Sequence, residues 1–164
     1  MKNTYSRKIG TSVLALVIAA ASAFSITAQS DPGGNQGFNR IVGAWETTVQ
    51  PRNCDTGEPL GQPFPGVITF NAGGTVAEFG ANPLTPYRTP GHGVWSSDGD
   101  TYTLRFSFIP LTPQGIPIGR LRVSQVGDVP RFSNEHRSSG GFVLTSLTGV
   151  VLSTGCSSAV AVRL

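Results

Sequence analysis

The sequence contains two histidines, and one of them lies in its most specific local motif. Residues Pro90 to Gly93 read P-G-H-G, so glycine flanks His92 on both sides and leaves room for another molecule to approach its ring. An imidazole in such a place could contact a ligand or transfer a proton. A histidine that only caps the turn is the simpler interpretation.

The second histidine stands between two charged residues in Glu135-His136-Arg137. In a strand, Glu135 and Arg137 share one face while His136 points to the other. Arg120 and Arg122 lie on the preceding predicted strand, so Glu135 could pair with them across the sheet. An interior face would anchor an acidic group of a ligand. We favour a solvated exterior face, because the residues next to these arginines are apolar and supply the interior.

Six aromatic side chains on the predicted strands could line an apolar pocket or simply fill the interior. They are Phe70, Phe79, Trp95, Tyr102, Phe106 and Phe108. Tyr87 and Arg88 fall in a proline-rich loop, where they could gate a pocket or cover the core. Together with His92 they are the candidates at the mouth of such a pocket.

Enzyme motifs are scarce in this sequence. It has no G-x-S-x-G, H-E-x-x-H, C-x-x-C or P-loop pattern. The catalytic candidates are therefore isolated side chains, namely His92, Tyr102 and Glu135. With two histidines and no cysteine left free by a disulfide, we predict no metal site and no cofactor. A non-catalytic protein is the favoured interpretation.

Cys54 and Cys156 are the only cysteines, and they lie far apart in the sequence. In an exported protein such a pair indicates one disulfide, with two buried free thiols as the alternative. A loop this long would stabilise the fold by ~4–5 kcal/mol in the chain-entropy model.

The first residues are typical of an export signal. Basic residues precede an apolar run at 13–24, which is shorter than the ~20 residues of a membrane-spanning helix. We expect cleavage after Ala28, with Ala23 as the alternative. Residues 1–28 are then a signal peptide, residues 29–40 a flexible arm, and the protein is periplasmic or extracellular without a stable membrane anchor.

Removal of that segment changes the charge balance. The chain has 12 basic and 9 acidic residues. Three basic residues leave with the signal peptide, so 12 − 3 = 9 basic residues balance the 9 acidic ones. The basic pI therefore gives no reason to expect a nucleic-acid partner. Sparse charge with 21 glycines and 12 prolines is typical of a β protein with many turns.

Eight short β-rich runs alternate with turn signals and form one predicted domain, residues 41–164. The runs are residues 41–50, 66–71, 75–80, 92–97, 101–109, 118–126, 131–144 and 150–163. We expect a Gly127-Asp128 turn and a bulge at 138–141. Alternate connections are long and proline-rich, at 51–65, 81–91 and 110–117, whereas the others are tight glycine turns.

Long loops at one end and tight turns at the other predict an eight-stranded up-and-down antiparallel barrel with an open mouth. A two-sheet sandwich is the alternative. In a closed barrel the first and last strands pair. If Cys54 lies opposite Cys156, then Thr47 lies opposite Arg163, and Trp45 is a diagonal neighbour of Arg163 near the floor.

Gly43-Ala44-Trp45 resembles the G-x-W signature of lipocalins and the wider calycin superfamily, in which a late arginine or lysine packs across the tryptophan. Arg163 occupies the matching place. The chain is similar to small exported bacterial lipocalin-like proteins, largely uncharacterised, also over residues 54–57, 70–74 and 90–95. The resemblance implies the fold and export rather than an activity. The usual T-D-x-Y segment of lipocalins is missing.

Three functions follow from these features. The first is a secreted barrel that binds a small apolar or amphipathic ligand. The second is a small-barrel cyclase or isomerase like the allene-oxide-cyclase barrels, which would need His92, Tyr102 and Glu135 to converge in a cavity. The third is a non-catalytic interaction or inhibitor protein, favoured by a filled interior. The sequence predicts no oligomeric state.

Overall fold

The computed structural model describes residues 40–164, and their regular structure is entirely β. The strands are β1 (Gly43–Arg52), β2 (Phe64–Phe70), β3 (Thr75–Gly80), β4 (Gly91–Asp98), β5 (Thr101–Phe108), β6 (Arg120–Asp128), β7 (Glu135–Thr145) and β8 (Val151–Arg163). The predicted number of strands is confirmed. The predicted signal peptide, and the predicted arm up to residue 39, lie outside the described residues.

The eight strands form one closed antiparallel barrel in which each strand pairs with the next and β8 pairs with β1. The up-and-down topology is therefore confirmed, and the two-sheet sandwich is wrong. Side chains alternate between interior and exterior, most regularly along β6, where buried and exposed residues follow one another from Arg120 to Asp128.

The predicted pairing of β1 with β8 is wrong by two residues. Arg163 lies directly opposite Trp45, and Cys156 lies opposite Arg52. The prediction assumed that Cys54 stands directly opposite Cys156, whereas Cys54 lies in the connection after the end of β1. The predicted disulfide is confirmed, with the two Cα atoms 5.2 Å apart, because a loop residue can reach the neighbouring strand without standing opposite its partner.

Two local predictions are also wrong. Gly127 and Asp128 are the last residues of β6, and the turn runs over residues 129–134, where Val129 is buried against the core. The region 138–141 pairs regularly with both neighbours, and the irregularity lies at Leu144/Thr145. The glycines of 140–141 allow the strands to approach closely, since a Cβ at 140 would collide with the backbone of β6.

The floor end of the barrel is a packed core. Its largest side chains are Ile41, Trp45, Phe70, Trp95 and Tyr102. The Phe70 ring meets Trp95 and Tyr102 edge to face, with ring centroids 5.8 Å and 5.5 Å apart. This end is therefore filled, and any space for a ligand lies nearer the mouth.

The floor is closed by the G-x-W segment and the last strand. Arg163 lies over the Trp45 ring, 4.1 Å from its centroid, and donates a hydrogen bond to the Val42 carbonyl at 3.0 Å. Trp45 donates its indole N–H to the Ile41 carbonyl at 2.8 Å. Gly43 has φ of 135°, and a Cβ there would stand 2.5 Å from Nη1 of Arg163. Glycine is thus required for the guanidinium to pack here.

Candidate functional site

A cavity of about 120 Å³ occupies the mouth half of the barrel. Its lining comes from all parts of the sheet except β4 and includes Thr47, Val49, Phe64, Ile68, Phe70, Glu78, Arg88, Tyr102, Leu104, Phe106, Phe108, Leu121, Val123, Gln125, His136, Ser138, Phe142, Cys156, Ser157 and Ala159. The interior is therefore not completely filled by side chains.

One wall of the cavity is apolar and large, and the opposite wall is built from smaller residues. Phe106 and Phe108 on β5 face inward beside Leu121 and Val123 on β6, because alternate residues of these strands share one face. The other wall, on β1, β7 and β8, carries small residues that include Thr47, Ser138, Ser157 and Ala159, although Val49 and Phe142 on these strands also line the cavity. This contrast in side-chain size leaves the space in the middle.

Three polar residues that line the cavity, Ser138, Gln125 and Ser157, are hydrogen-bonded to one another. Ser138 donates a hydrogen bond to Oε1 of Gln125 at 2.9 Å, and Gln125 donates from Nε2 to the hydroxyl of Ser157 at 3.2 Å. This network crosses from β6 to β7 and β8. Because the side chains of this network already have hydrogen-bond partners, they do not need a polar ligand to satisfy them.

A buried ion pair lies at the mouth end of the cavity. Nη2 of Arg88 lies 2.9 Å and 3.0 Å from the two carboxylate oxygens of Glu78. The Arg88 side chain is 3% exposed and that of Glu78 is 14% exposed. The guanidinium also packs 4.0 Å from the centroid of Phe108. Burial raises the pKa of Glu78, and the opposing attraction of Arg88 only partly offsets this effect.

Glycines make room for this ion pair and explain the P-G-H-G motif. A Cβ at Gly91 would stand 2.6 Å from Oε2 of Glu78, and one at Gly80 would stand 3.0 Å from Oε1. A Cβ at Gly93 would collide with the backbone of Arg105 on β5. The glycines around His92 therefore accommodate a buried carboxylate and a neighbouring strand.

The bottom of the cavity is formed by a hydrogen-bonded pair. The hydroxyl of Tyr102 lies 2.8 Å from Nδ1 of His136, while Nε2 of His136 is buried without a partner in the described residues. Burial lowers the pKa of His136 to about 4, and the positive charge of Arg163 contributes to this shift. Burial also raises the pKa of Tyr102 to about 12. Both groups are therefore neutral at ordinary pH.

The predicted catalytic candidates do not come together. Only Tyr102 lines the cavity. His92 lies on the outer face of β4 and is exposed. Glu135 lies on the exterior of β7, where Arg137 donates to it at 3.0 Å, so it pairs within its own strand and not with Arg120 or Arg122.

The predicted pocket aromatics divide into three groups. Phe70, Tyr102, Phe106 and Phe108 line the cavity. Trp95 is buried in the floor core, where its indole N–H donates to the Asn71 carbonyl at 3.0 Å. The sixth, Phe79, lies on the outer face of β3 and is 50% exposed, and the predicted mouth-loop residue Tyr87 is exposed to the same extent.

The cavity residues missing from the predicted site include two titratable ones, Glu78 and His136. Glu78 shares its inward phase on β3 with Val76 and Gly80, so its position in a short alternating strand was the available signal. His136 points to the opposite face of β7 from its charged neighbours Glu135 and Arg137, and this alternation was the signal that places it inside.

Within residues 40–164 no group of three or more potential ligands could hold a metal ion, and no helix there is long and apolar enough to cross a membrane.

The comparisons with known proteins give one structural similarity. No protein-family model matches the chain, and no curated protein matches it. Among solved structures, the chain is similar to that of Rv2717c from M. tuberculosis, with 16% sequence identity and a TM-score of 0.39. The match covers 77% of this chain and 94% of that chain. At this level of similarity, no function is transferred from that protein to this one.

Proposed function

We propose that this protein is an exported, lipocalin-like barrel that binds one small apolar or amphipathic molecule in the mouth half of its interior. The observation that supports ligand binding is the cavity of about 120 Å³ with Phe106, Phe108, Leu121 and Val123 along one wall. An apolar cavity of roughly 150 Å³ is known to hold benzene. The ligand is therefore about the size of one aromatic ring or a short alkyl chain.

Two further features support the other parts of this proposal. The packing of Arg163 over Trp45 beside Gly43 matches the arrangement that the lipocalin resemblance implies. The disulfide supports export, because such bonds persist mainly in oxidising compartments. Neither alternative function has comparable support, since the catalytic candidates do not converge and the interior is not filled.

The test is a titration of the oxidised protein with toluene, followed by amide NMR spectra. We expect saturable shifts that are confined to residues lining the cavity. Ala159→Leu should abolish them by filling the space from the small wall. The matched control, Val162→Leu, changes an exposed position of the same strand and should bind normally. Native mass spectrometry of the protein from its natural compartment would reveal a retained ligand. The proposal fails if no apolar probe of this size binds saturably.

A further inference from the structure

The guanidinium of Arg88 keeps unused hydrogen-bond donors although it lies almost fully buried beside the cavity. Its side chain is 3% exposed, and its hydrogen bonds to Glu78 all come from Nη2. Nε is buried without a partner in the described residues. A buried donor that lacks an acceptor is unfavourable, so an acceptor brought into this end of the cavity would gain a charge-assisted hydrogen bond.

The ion pair also restricts the charge of what can bind. Glu78 already neutralises Arg88, and the Phe108 ring covers the guanidinium at 4.0 Å. A carboxylate ligand would bring a second negative charge beside Glu78 into surroundings of low polarity, with one guanidinium to serve both. A cationic ligand would be repelled by Arg88. A neutral acceptor avoids both penalties.

We infer that the ligand is an uncharged molecule with an apolar body and one acceptor oxygen, of the aryl or short-chain carbonyl type, and that this oxygen binds to Arg88. The inference rests on the proposed function and names the chemical class of its ligand. The apolar body would lie against Phe106 and Leu121, and the oxygen would point towards the mouth. Gln125, Ser138 and Ser157 are hydrogen-bonded to one another, and Nε2 of His136 lies at the opposite, floor end of the cavity, so Arg88 is the charged donor at the mouth end.

Three probes of nearly equal size test this inference on the oxidised full chain. Acetophenone carries a neutral acceptor, ethylbenzene carries none, and benzoate carries a negative charge. Dissociation constants come from amide NMR titrations. Acetophenone should bind roughly tenfold more tightly than ethylbenzene, as expected for one hydrogen bond to a charged donor. Benzoate should bind most weakly of the three.

Variants assign that preference to the ion pair. Glu78→Gln combined with Arg88→Met removes both charges, so neither is left buried and alone. In this variant acetophenone and ethylbenzene should bind equally. The matched control combines Glu135→Gln with Arg137→Met and removes an exposed ion pair on the outer face. It should keep the preference for acetophenone.

The outcomes separate this inference from the proposed function. Equal binding of acetophenone and ethylbenzene to the unmodified protein overturns the inference and leaves the proposed function standing. Tightest binding of benzoate also overturns it, in favour of an acidic ligand. If none of the three binds, both proposals fail. The ranking in the unmodified protein decides the matter even if the double variant at Glu78 and Arg88 does not fold.

Discussion

His136 should make the stability of the barrel depend on pH between about 4 and 6.5. Its imidazole is 3% exposed and is surrounded by Trp45, Phe70 and Tyr102. Burial, together with the positive charge of Arg163, lowers its pKa to about 4 from 6.5. Between these pH values the unfolded chain binds a proton that the folded protein does not.

The sign and the size of the effect follow from this difference. Stability is fully present above about pH 6.5 and is lost as the pH falls towards 4, because the unfolded state gains the proton first. A shift from 6.5 to about 4 corresponds to about 3 kcal/mol at most. Glu78 has the opposite effect on stability. Its pKa is raised in the folded protein, so its contribution to the free energy of unfolding is lost as the pH rises. Only a comparison of variants therefore isolates the histidine.

Urea unfolding at about pH 7 and about pH 4.5 provides that comparison. At each pH, the free energy of unfolding of His136→Gln is subtracted from that of the unmodified protein. This difference should be smaller at about pH 4.5 than at about pH 7, by about 3 kcal/mol or less. His92→Gln, which removes the exposed histidine, should leave this part unchanged. The reasoning is refuted if the unmodified protein and His136→Gln lose stability in parallel, or if NMR shows the folded His136 ring titrating near its ordinary pKa.

Three further perturbations test the packing. Gly43→Ala should cost about 1–3 kcal/mol of unfolding free energy, because its φ is 135° and its Cβ would stand 2.5 Å from Arg163. Gly91→Ala should displace the Glu78 carboxylate and lower the free energy of unfolding in urea by a comparable amount, and unchanged stability would contradict the close contact of 2.6 Å. Reduction of the disulfide should raise hydrogen exchange first at the mouth ends of β1 and β8, whereas equal loss of protection at the floor would refute that order.

The strands could be predicted because their interior and exterior residues differ clearly. Tyr102, Leu104, Phe106 and Phe108 alternate with polar residues along β5, and this period fixes which face is buried. The same rule could have placed His136 inside, since its neighbours on both sides are charged. The disulfide does not reveal the register of β1 against β8, because Cys54 lies in the connection after β1 and reaches Cys156 without standing opposite it.

The ion pair could not be predicted for a different reason. Arg88 lies in a connection, and connections have no periodicity that fixes the direction of a side chain. The alternation on β3 points Glu78 inward, but a charged side chain is rarely buried without a partner, and the sequence does not identify Arg88 as that partner. The P-G-H-G motif drew attention to His92, although its glycines serve the carboxylate of Glu78 across the sheet.

The hollow mouth half has an energetic consequence that links the cavity to the disulfide. Small residues such as Ser138, Ser157 and Ala159 face large ones across the interior, and the space that they leave is about 120 Å³. At about 24 cal/mol per Å³, an empty space of this volume costs about 3 kcal/mol relative to a filled core. The disulfide joins β8 to the loop after β1 at this same end and can contribute ~4–5 kcal/mol. The stabilisation by the cross-link is thus large enough to offset the cost of the cavity. A variant that fills the cavity should therefore be more stable after reduction of the disulfide than the reduced unmodified protein.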